Sequence, residues 1–267
     1  MSLYARGRLL LIAGPCVVED RDTVLAIAAE LKGICAKRPI DLVFKASWDK
    51  ANRSSIRSFR GPGMEEALGV LREVRERLGL RVNTDVHESA QVPEVAEAVD
   101  TLQIPAFLCR QTDLLLACAA TGKPVFVKKG QFLAPEDMGN VAEKFRSVAG
   151  HGELSLVERG TTFGYHNLVV DFRGLPAMRK FAPVVFDGTH SVQRPGGLGD
   201  KSGGDAAMIP HLVRAAAAVG IDGLFLETHH DPSKALSDGP NMIPLSALPP
   251  LLDTVLRIRE GQSLPRS

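Results

Sequence analysis

Short runs of apolar residues alternate with longer amphipathic or alanine-rich segments along almost the whole chain. Strands that alternate with helices in this way are typical of a parallel sheet. The apolar runs predict eight strands, at 9–13, 42–45, 81–84, 101–104, 125–128, 154–157, 184–187 and 223–227. The longer segments predict helices near 22–37, 64–78, 90–98, 111–120, 136–148, 204–219 and 246–259.

The connection at 159–180 has the poorest helical pattern, with only a short turn predicted near 176–180. Its length indicates a functional loop. Eight strand–helix units in 267 residues predict one domain, spanning 1–267, of the α/β class with a (β/α)8 TIM-barrel fold. A doubly wound sheet would usually carry a Gly-x-Gly-x-x-Gly turn after its first strand, and this chain has none.

Composition excludes several classes of partner. Lys and Arg total 32 against 31 for Asp and Glu, so the net charge of +1 provides no global field that would attract nucleic acid or an anionic membrane. The early apolar run at 9–13 is too short for a membrane span and lacks a signal-peptide pattern, so we expect a cytoplasmic protein. The four cysteines lack Cys-x-x-Cys spacing, which indicates reduced thiols.

Reactive residues follow the carboxyl end of almost every predicted strand, where TIM barrels place their chemistry. Lys45, Lys128 and Arg159 come from three different strands and would point into one mouth. Like charges a few Å apart cost on the order of 1 kcal/mol when they are partly desolvated. These cations therefore predict an anionic substrate, with at least one phosphate and a carboxylate.

The segment 50–55, Lys-Ala-Asn-Arg-Ser-Ser, follows the second predicted strand and places two cations and three polar side chains in one loop. A basic run is more often a solvated surface. The cations at the other strand ends favour the alternative that this loop binds a phosphorylated sugar.

A second group of residues has the chemistry of metal ligands. Cys16, His190, Glu227 and Asp238 follow the first, seventh and eighth strands, which become neighbours when a barrel closes. One thiolate, one imidazole and two carboxylates suit one divalent transition metal such as Zn, Fe(II) or Mn. Taken without the barrel, Cys16 would more often be a small buried apolar residue. The remaining cysteines fit core positions: Cys35, Cys109 and Cys118.

Several collinear blocks identify a family resemblance that runs nearly end to end. They include Ala13-Gly14-Pro15-Cys16, Phe44-Lys45-Ala46-Ser47 and the segments 50–55, 59–63, 103–113, 127–132, 158–165, 187–193 and 196–204. The chain resembles the 3-deoxy-D-manno-octulosonate 8-phosphate synthases. This resemblance implies that phosphoenolpyruvate condenses with D-arabinose 5-phosphate and water, giving the eight-carbon ketose acid phosphate, a lipopolysaccharide precursor, and inorganic phosphate.

The resemblance also implies roles for individual residues. Lys45 and Lys50 resemble the partners of the phosphoenolpyruvate carboxylate, whereas Lys128 and Arg159 resemble the partners of its phosphate. The catalytic residues implied are Lys45, Lys50, His190 and Cys16. The other substrate-binding residues implied are Gln103 and Ala106 in the same pocket and, for the aldose phosphate, Asn52, Arg53, Ser54 and Ser202, together with Arg110 supplied across a subunit interface. An Arg110 from a neighbouring subunit implies an oligomer, and we expect a homotetramer.

Two sequence features indicate which metal class and which sugar substrate the resemblance implies for this chain. Members that need no metal have Asn at the position of Cys16, so Cys16 resembles the metal-dependent class with ligands Cys16, His190, Glu227 and Asp238. The alternative activity is that of the neighbouring 3-deoxy-D-arabino-heptulosonate 7-phosphate synthases, which use erythrose 4-phosphate. Those relatives typically have Lys-Pro-Arg-Thr where this chain has Lys50-Ala51-Asn52-Arg53, which favours the five-carbon sugar. A non-catalytic sugar-phosphate sensor would require a broken site, and no expected ligand is missing.

Overall fold

The computed structural model describes residues 2–53, 55–196 and 203–261. Eight parallel strands form a closed barrel, because the first strand pairs with both the second and the eighth. The strands are β1 (Leu9–Gly14), β2 (Ile40–Lys45), β3 (Arg81–Asp85), β4 (Thr101–Ile104), β5 (Val125–Lys128), β6 (Leu154–Glu158), β7 (Val184–Asp187) and β8 (Gly223–His229). The predicted (β/α)8 barrel is therefore confirmed.

One helix follows each strand and covers the outside of the barrel. The helices are α1 (Arg21–Ala36), α2 (Met64–Leu78), α3 (Val92–Ala98), α4 (Thr112–Ala120), α5 (Met138–Arg146), α6 (Gly174–Arg179), α7 (Ile209–Val219) and α8 (Leu248–Glu260). Local sequence explains several boundaries. Asp20 caps α1 by accepting from the Thr23 backbone N–H at 2.9 Å, and Gly79 ends α2 in the left-handed conformation.

Two connections differ from the sequence prediction. The helix predicted from 204 begins only at Ile209, because Gly203 and Gly204 pair with 193–194 and a single 3-10 turn at 206–208 precedes α7. The poorly helical connection after β6 contains a short hairpin, in which 161–162 pairs with 168–169, followed by the six-residue α6. The hairpin lies on the same side of the barrel as the carboxyl end of β6.

Strand alternation divides the core into two clusters. Outward residues such as Leu224 and Leu226 pack against the helices. Inward residues such as Phe225 form a separate cluster within the barrel, whose members are Leu3, Leu10, Ile12, Val43, Phe126, Val157, Val185 and Phe225. The amino-terminal segment closes the lower end, where the Leu3 backbone N–H donates to Glu153 Oε2 at 2.8 Å and Tyr4 Oη lies 2.5 Å from Ser155 Oγ.

Within the described ranges, none of the helices combines the length and apolar character required to cross a bilayer. All four cysteines are buried and free, and Cys35, Cys109 and Cys118 lie in the core that packs between strands and helices.

Candidate active site

A cavity of about 1060 Å³ opens at the carboxyl ends of the strands. Most of the side chains that the sequence predicts to bind substrate or metal line this cavity. Those lining it are Lys45, Lys50, Asn52, Arg53, Gln103, Ala106, Lys128, Arg159, His190 and Asp238. Cys16 and Glu227 lie directly behind this lining, whereas Ser54 and Ser202 fall outside the described residues. Arg110 is exposed and lies on a different surface of the same chain, beside α5.

One side of the cavity carries the cations predicted to bind phosphate. Lys128 Nζ donates to Asp187 Oδ2 at 2.6 Å and lies 3.3 Å from His190 Nδ1. Arg159 is buried, and its Nη2 donates to Gln193 Oε1 at 2.8 Å. Burial would raise the pKa of Asp187, but His190 and Lys128 outweigh burial and hold that pKa well below its ordinary value. Asp187 therefore remains ionised and keeps the Lys128 ammonium in place.

The opposite side carries the cations predicted to bind carboxylate. Lys45 Nζ donates to Ser47 Oγ at 2.7 Å and lies 3.6 Å from Asp85 Oδ2. Ser47 Oγ and Gln103 Nε2 both donate short hydrogen bonds to Asp85. Burial would raise the pKa of Asp85, but Lys45 and Lys50 outweigh it and lower the pKa strongly. Asp85 is thus an ionised anchor that fixes both Lys45 and Gln103.

The loop after β2 carries Lys50 and Arg53 and is closed at its base. Arg60 Nε donates to Asp49 Oδ1 at 2.8 Å, and the Lys50 backbone N–H donates to the Arg60 carbonyl at 2.9 Å. Gly61 follows with φ of +136°, and a Cβ there would lie 2.3 Å from the Trp48 carbonyl oxygen, so this turn requires glycine. The base therefore holds the loop at a fixed position beside the mouth.

Arg53 connects this loop to the loop after β8. Its Nε donates to the Phe59 carbonyl at 2.9 Å, and its Nη2 donates to the Leu236 carbonyl at 3.5 Å. Asn52 is exposed at the cavity wall. Both side chains are placed where a ligand in the mouth could reach them.

Three of the four predicted metal ligands form a compact group. One donor atom each from Cys16, Glu227 and Asp238 lies within 4.8 Å of the other two. Cys16 Sγ is 3.2 Å from Asp238 Oδ2. The fourth predicted ligand, His190, adjoins this group through its Nε2, which is 3.6 Å from Glu227 Oε1.

Glu227 provides the strongest indication that this group fits a cation. Both of its carboxylate oxygens are buried without a hydrogen-bond partner among the described residues. The nearest basic groups are the His190 ring, whose Nε2 lies 3.6 Å from Oε1, and the ammonium groups of Lys50 and Lys45, at 3.8 and 3.9 Å from the same oxygen. A buried carboxylate with unused lone pairs is costly. A divalent metal held by thiolate, imidazole and carboxylates would satisfy those lone pairs, so the residues present fit such an ion.

Electrostatics at this group favour ionised carboxylates and a neutral thiol. Burial and the neighbouring Glu227 raise the pKa of Cys16 well above its ordinary value. Burial opposes ionisation of Glu227, but His190 and Lys50 outweigh it and lower the pKa of Glu227. A metal that binds Cys16 as thiolate must therefore displace a proton.

The sequence analysis did not predict some of the residues at the site. Ser237 Oγ lies 2.9 Å from Cys16 Sγ, and adjacency to Asp238 is the only sequence signal that could have found it. Ser47 lies two residues after Lys45, just past the end of β2, and accepts a hydrogen bond from that lysine. Phe225 lies beneath the cavity. Its position two residues before Glu227, on the inward face of the same strand, is the sequence signal that could have predicted it.

Comparison with known proteins agrees with the family resemblance seen in the sequence. The model of the DAHP synthetase I family matches residues 5–259. A 2-dehydro-3-deoxyphosphooctonate aldolase of Synechococcus sp. is 58% identical over 258 residues, covering 96% of this chain and 90% of that protein. The protein of the same name from Desulfatibacillum aliphaticivorans is 57% identical over 264 residues, covering 98% and 96%. The one from Pelobacter propionicus is 56% identical over 259 residues, covering 97% and 95%. The chain belongs to the DAHP synthetase I family and, within it, to the family of the 2-dehydro-3-deoxyphosphooctonate aldolases.

Proposed function

We propose that the chain condenses phosphoenolpyruvate with D-arabinose 5-phosphate and water, releasing 3-deoxy-D-manno-octulosonate 8-phosphate and inorganic phosphate. The observation that carries this proposal is one cavity with cations on two sides, Lys45 and Lys50 on one side and Lys128 and Arg159 on the other. Phosphoenolpyruvate has one anionic group for each side. The relatives named as 2-dehydro-3-deoxyphosphooctonate aldolases support the same reaction.

The bond changes explain why positioning dominates this chemistry. Carbon 3 of the enol phosphate forms a bond to the sugar aldehyde carbon, and the aldehyde oxygen takes a proton. Water adds at carbon 2 and loses a proton, which gives a hemiketal phosphate. The carbon–oxygen bond to phosphate then breaks while the hemiketal hydroxyl gives up its proton to the departing phosphate, which leaves the ketone and inorganic phosphate. Holding both substrates in reacting geometry can supply several kcal/mol of the barrier reduction, in the range of about 7–11 kcal/mol for ideal alignment.

The residues of the chain divide this work between them. Lys128 and Arg159 would hold the phosphate that leaves, and Lys45 and Lys50 would hold the carboxylate, stabilising charge that develops in the mouth. Gln103 and Ala106 line the wall between the two cationic sides. Asn52 and Arg53 would bind the aldose phosphate from the loop after β2, and Ser54, Ser202 and Arg110 would complete its binding. Burial of Lys45 and Lys128 would strengthen their charge interactions with the carboxylate and the phosphate.

We also propose that the chain uses one divalent transition metal, such as Zn, Fe(II) or Mn, held by Cys16, His190, Glu227 and Asp238. The unpartnered oxygens of Glu227 and the contact between Cys16 and Asp238 support this ligand set. What the metal supplies when bound is Lewis acidity and a fixed point for orienting the aldehyde or the water. Cys16→Ala should lower the metal content measured by elemental analysis, whereas full metal content in that variant would contradict the ligand assignment.

We propose further that the protein is a cytoplasmic homotetramer in which Arg110 reaches the mouth of a neighbouring subunit. Arg110 is exposed, and the exposed ring of Phe107 lies three residues before it at the cavity rim. Sedimentation analysis should give the mass of a tetramer, and a monomer at working concentration would contradict the shared site.

Product identification tests the proposed reaction. The protein is incubated with phosphoenolpyruvate and either arabinose 5-phosphate or erythrose 4-phosphate, and products are identified by mass spectrometry. An eight-carbon acid phosphate from the pentose phosphate, with little product from the tetrose phosphate, is the expected result. A seven-carbon product as the main species would transfer the chain to the alternative activity, and the absence of either product would overturn the proposal.

A further inference from the structure

The Lys128 ammonium lies on the face of a buried aromatic ring. Its Nζ is 3.7 Å from the centroid of Phe225, which is only 1% exposed. The ring also lies near the other groups of the mouth. Its centroid is 5.7 Å from Lys45 Nζ and 5.7 Å from the centroid of the His190 ring. One ring therefore lies close to three functional side chains.

The fold explains why this ring faces the mouth. In β8, Leu224 and Leu226 belong to the outer core, and Phe225 belongs to the inner cluster of the barrel. Alternation thus directs Phe225 and Glu227 to the same side. Phe225 pairs in register with Asp187 of β7, the residue whose carboxylate also contacts Lys128. The ammonium is therefore held between a carboxylate and a ring.

The contact has the geometry of a cation–π interaction. An ammonium within about 6 Å of a ring centroid is attracted by the negative face of the ring, and desolvation strengthens the attraction. Lys128 is 5% exposed, so little water competes with the ring. A carboxylate alone would pull Lys128 toward β7, whereas the ring face of Phe225 on β8 adds a second attraction that does not neutralise its charge.

We propose that Phe225 is a positioning residue for phosphoenolpyruvate, acting through Lys128 by its π-face. The role depends on the proposed function, because it assigns Lys128 to the phosphate of that substrate. The ring leaves the ammonium charge available to the ligand, in contrast to a second carboxylate, which would compensate that charge.

A fluorination series tests this role without changing the shape of the core greatly. Phe225 is replaced by mono-, di- and trifluorophenylalanine, which progressively weaken the negative face of the ring. Phe126 is the matched control, since it lies in the same inner cluster, and the part of the chain that the structure describes places no ammonium over it. The dissociation constant of phosphoenolpyruvate is measured by titration calorimetry, and KM and kcat are measured for both substrates.

The dissociation constant of phosphoenolpyruvate should rise with each fluorine at Phe225, by about tenfold to thirtyfold over the series. The KM for arabinose 5-phosphate should change much less, and the Phe126 series should be flat. A flat Phe225 series, or equal slopes at Phe225 and Phe126, would overturn the role of the ring. A graded series in a protein without turnover would instead contradict the proposed function alone. Failure of the unsubstituted protein to bind phosphoenolpyruvate would overturn both.

Discussion

The inward-facing residues of the barrel form two layers with different chemistry. The upper layer, at the carboxyl ends of the strands, is charged, whereas the lower layer, two residues earlier along the chain, is apolar. On five strands an apolar inward residue is followed two positions later by a charged residue at the mouth, which lies at or near the end of its strand or, for Arg159, one residue beyond it. These pairs are Val43 and Lys45, Phe126 and Lys128, Val157 and Arg159, Val185 and Asp187, and Phe225 and Glu227. The lower member packs within the barrel, and the upper member faces the cavity or contacts a residue that does.

The difference separates stability from chemistry along a single strand. The lower layer contributes by excluding water and filling volume. The upper layer buries charges that cost free energy unless partners or a ligand compensate them. Asp85, Asp187 and Glu227 provide part of that compensation within the chain. Substitutions in the upper layer should therefore lower the activity of the folded molecules, whereas those in the lower layer should lower the free energy of unfolding and leave that activity unchanged.

The largest effect is expected in the upper layer. Lys128→Met should reduce kcat/KM by about a hundredfold to a thousandfold, because it removes a charge preorganised for the phosphate. Initial rates of phosphate release measure this change. The melting temperature should also fall, because the substitution leaves the buried Asp187 carboxylate with His190 but without its Lys128 partner, so rates are compared per folded molecule. A decrease in rate explained wholly by unfolded protein would contradict the division between layers.

The matched change in the lower layer of the same strand should act on stability. Phe126→Ala removes a buried ring and should lower the free energy of unfolding by about 3–5 kcal/mol. Denaturant titration measures this loss. The kcat of the molecules that remain folded should stay close to the native value. A large loss of kcat with little loss of stability would show that the lower layer also has a chemical role.

Substitution of a predicted metal ligand should have an intermediate effect on activity. Cys16→Ala should lower activity by about a hundredfold, since it removes a ligand, whereas Cys16→Asn should retain more activity in metal-free buffer. Cys35→Ala is the matched control, because Cys35 is also a buried cysteine but packs in the outer core. It should affect stability alone. Undiminished activity of Cys16→Ala in metal-free buffer would contradict the ligand assignment.

The smallest effect is expected in the loop after β2. Asn52→Ala removes one neutral hydrogen-bonding group, and the KM for arabinose 5-phosphate should rise by about fivefold to tenfold. The KM for phosphoenolpyruvate should change much less. Steady-state kinetics with each substrate varied in turn separate the two constants, and the reverse pattern would assign Asn52 to the enol phosphate.

Sequence predicted the fold and most of the mouth because both depend on local patterns. Strand ends are visible in the chain, so Lys45, Lys128 and Arg159 could be placed in one cavity before the structure was known. The support of those residues depends on contacts between distant segments. Cys16 meets Ser237 only through barrel closure and the path of the last loop. No period in the sequence shows that the side chains of Ser47 and Gln103 converge on one carboxylate.

The most direct test is the rate of phosphate release from phosphoenolpyruvate with arabinose 5-phosphate, measured before and after treatment with a chelator. The account predicts turnover that is lost on chelation and restored by one of Zn, Fe(II) or Mn. Turnover that survives complete removal of metal would contradict the metal group while leaving the reaction intact. Turnover only with erythrose 4-phosphate would contradict the assigned function of the mouth.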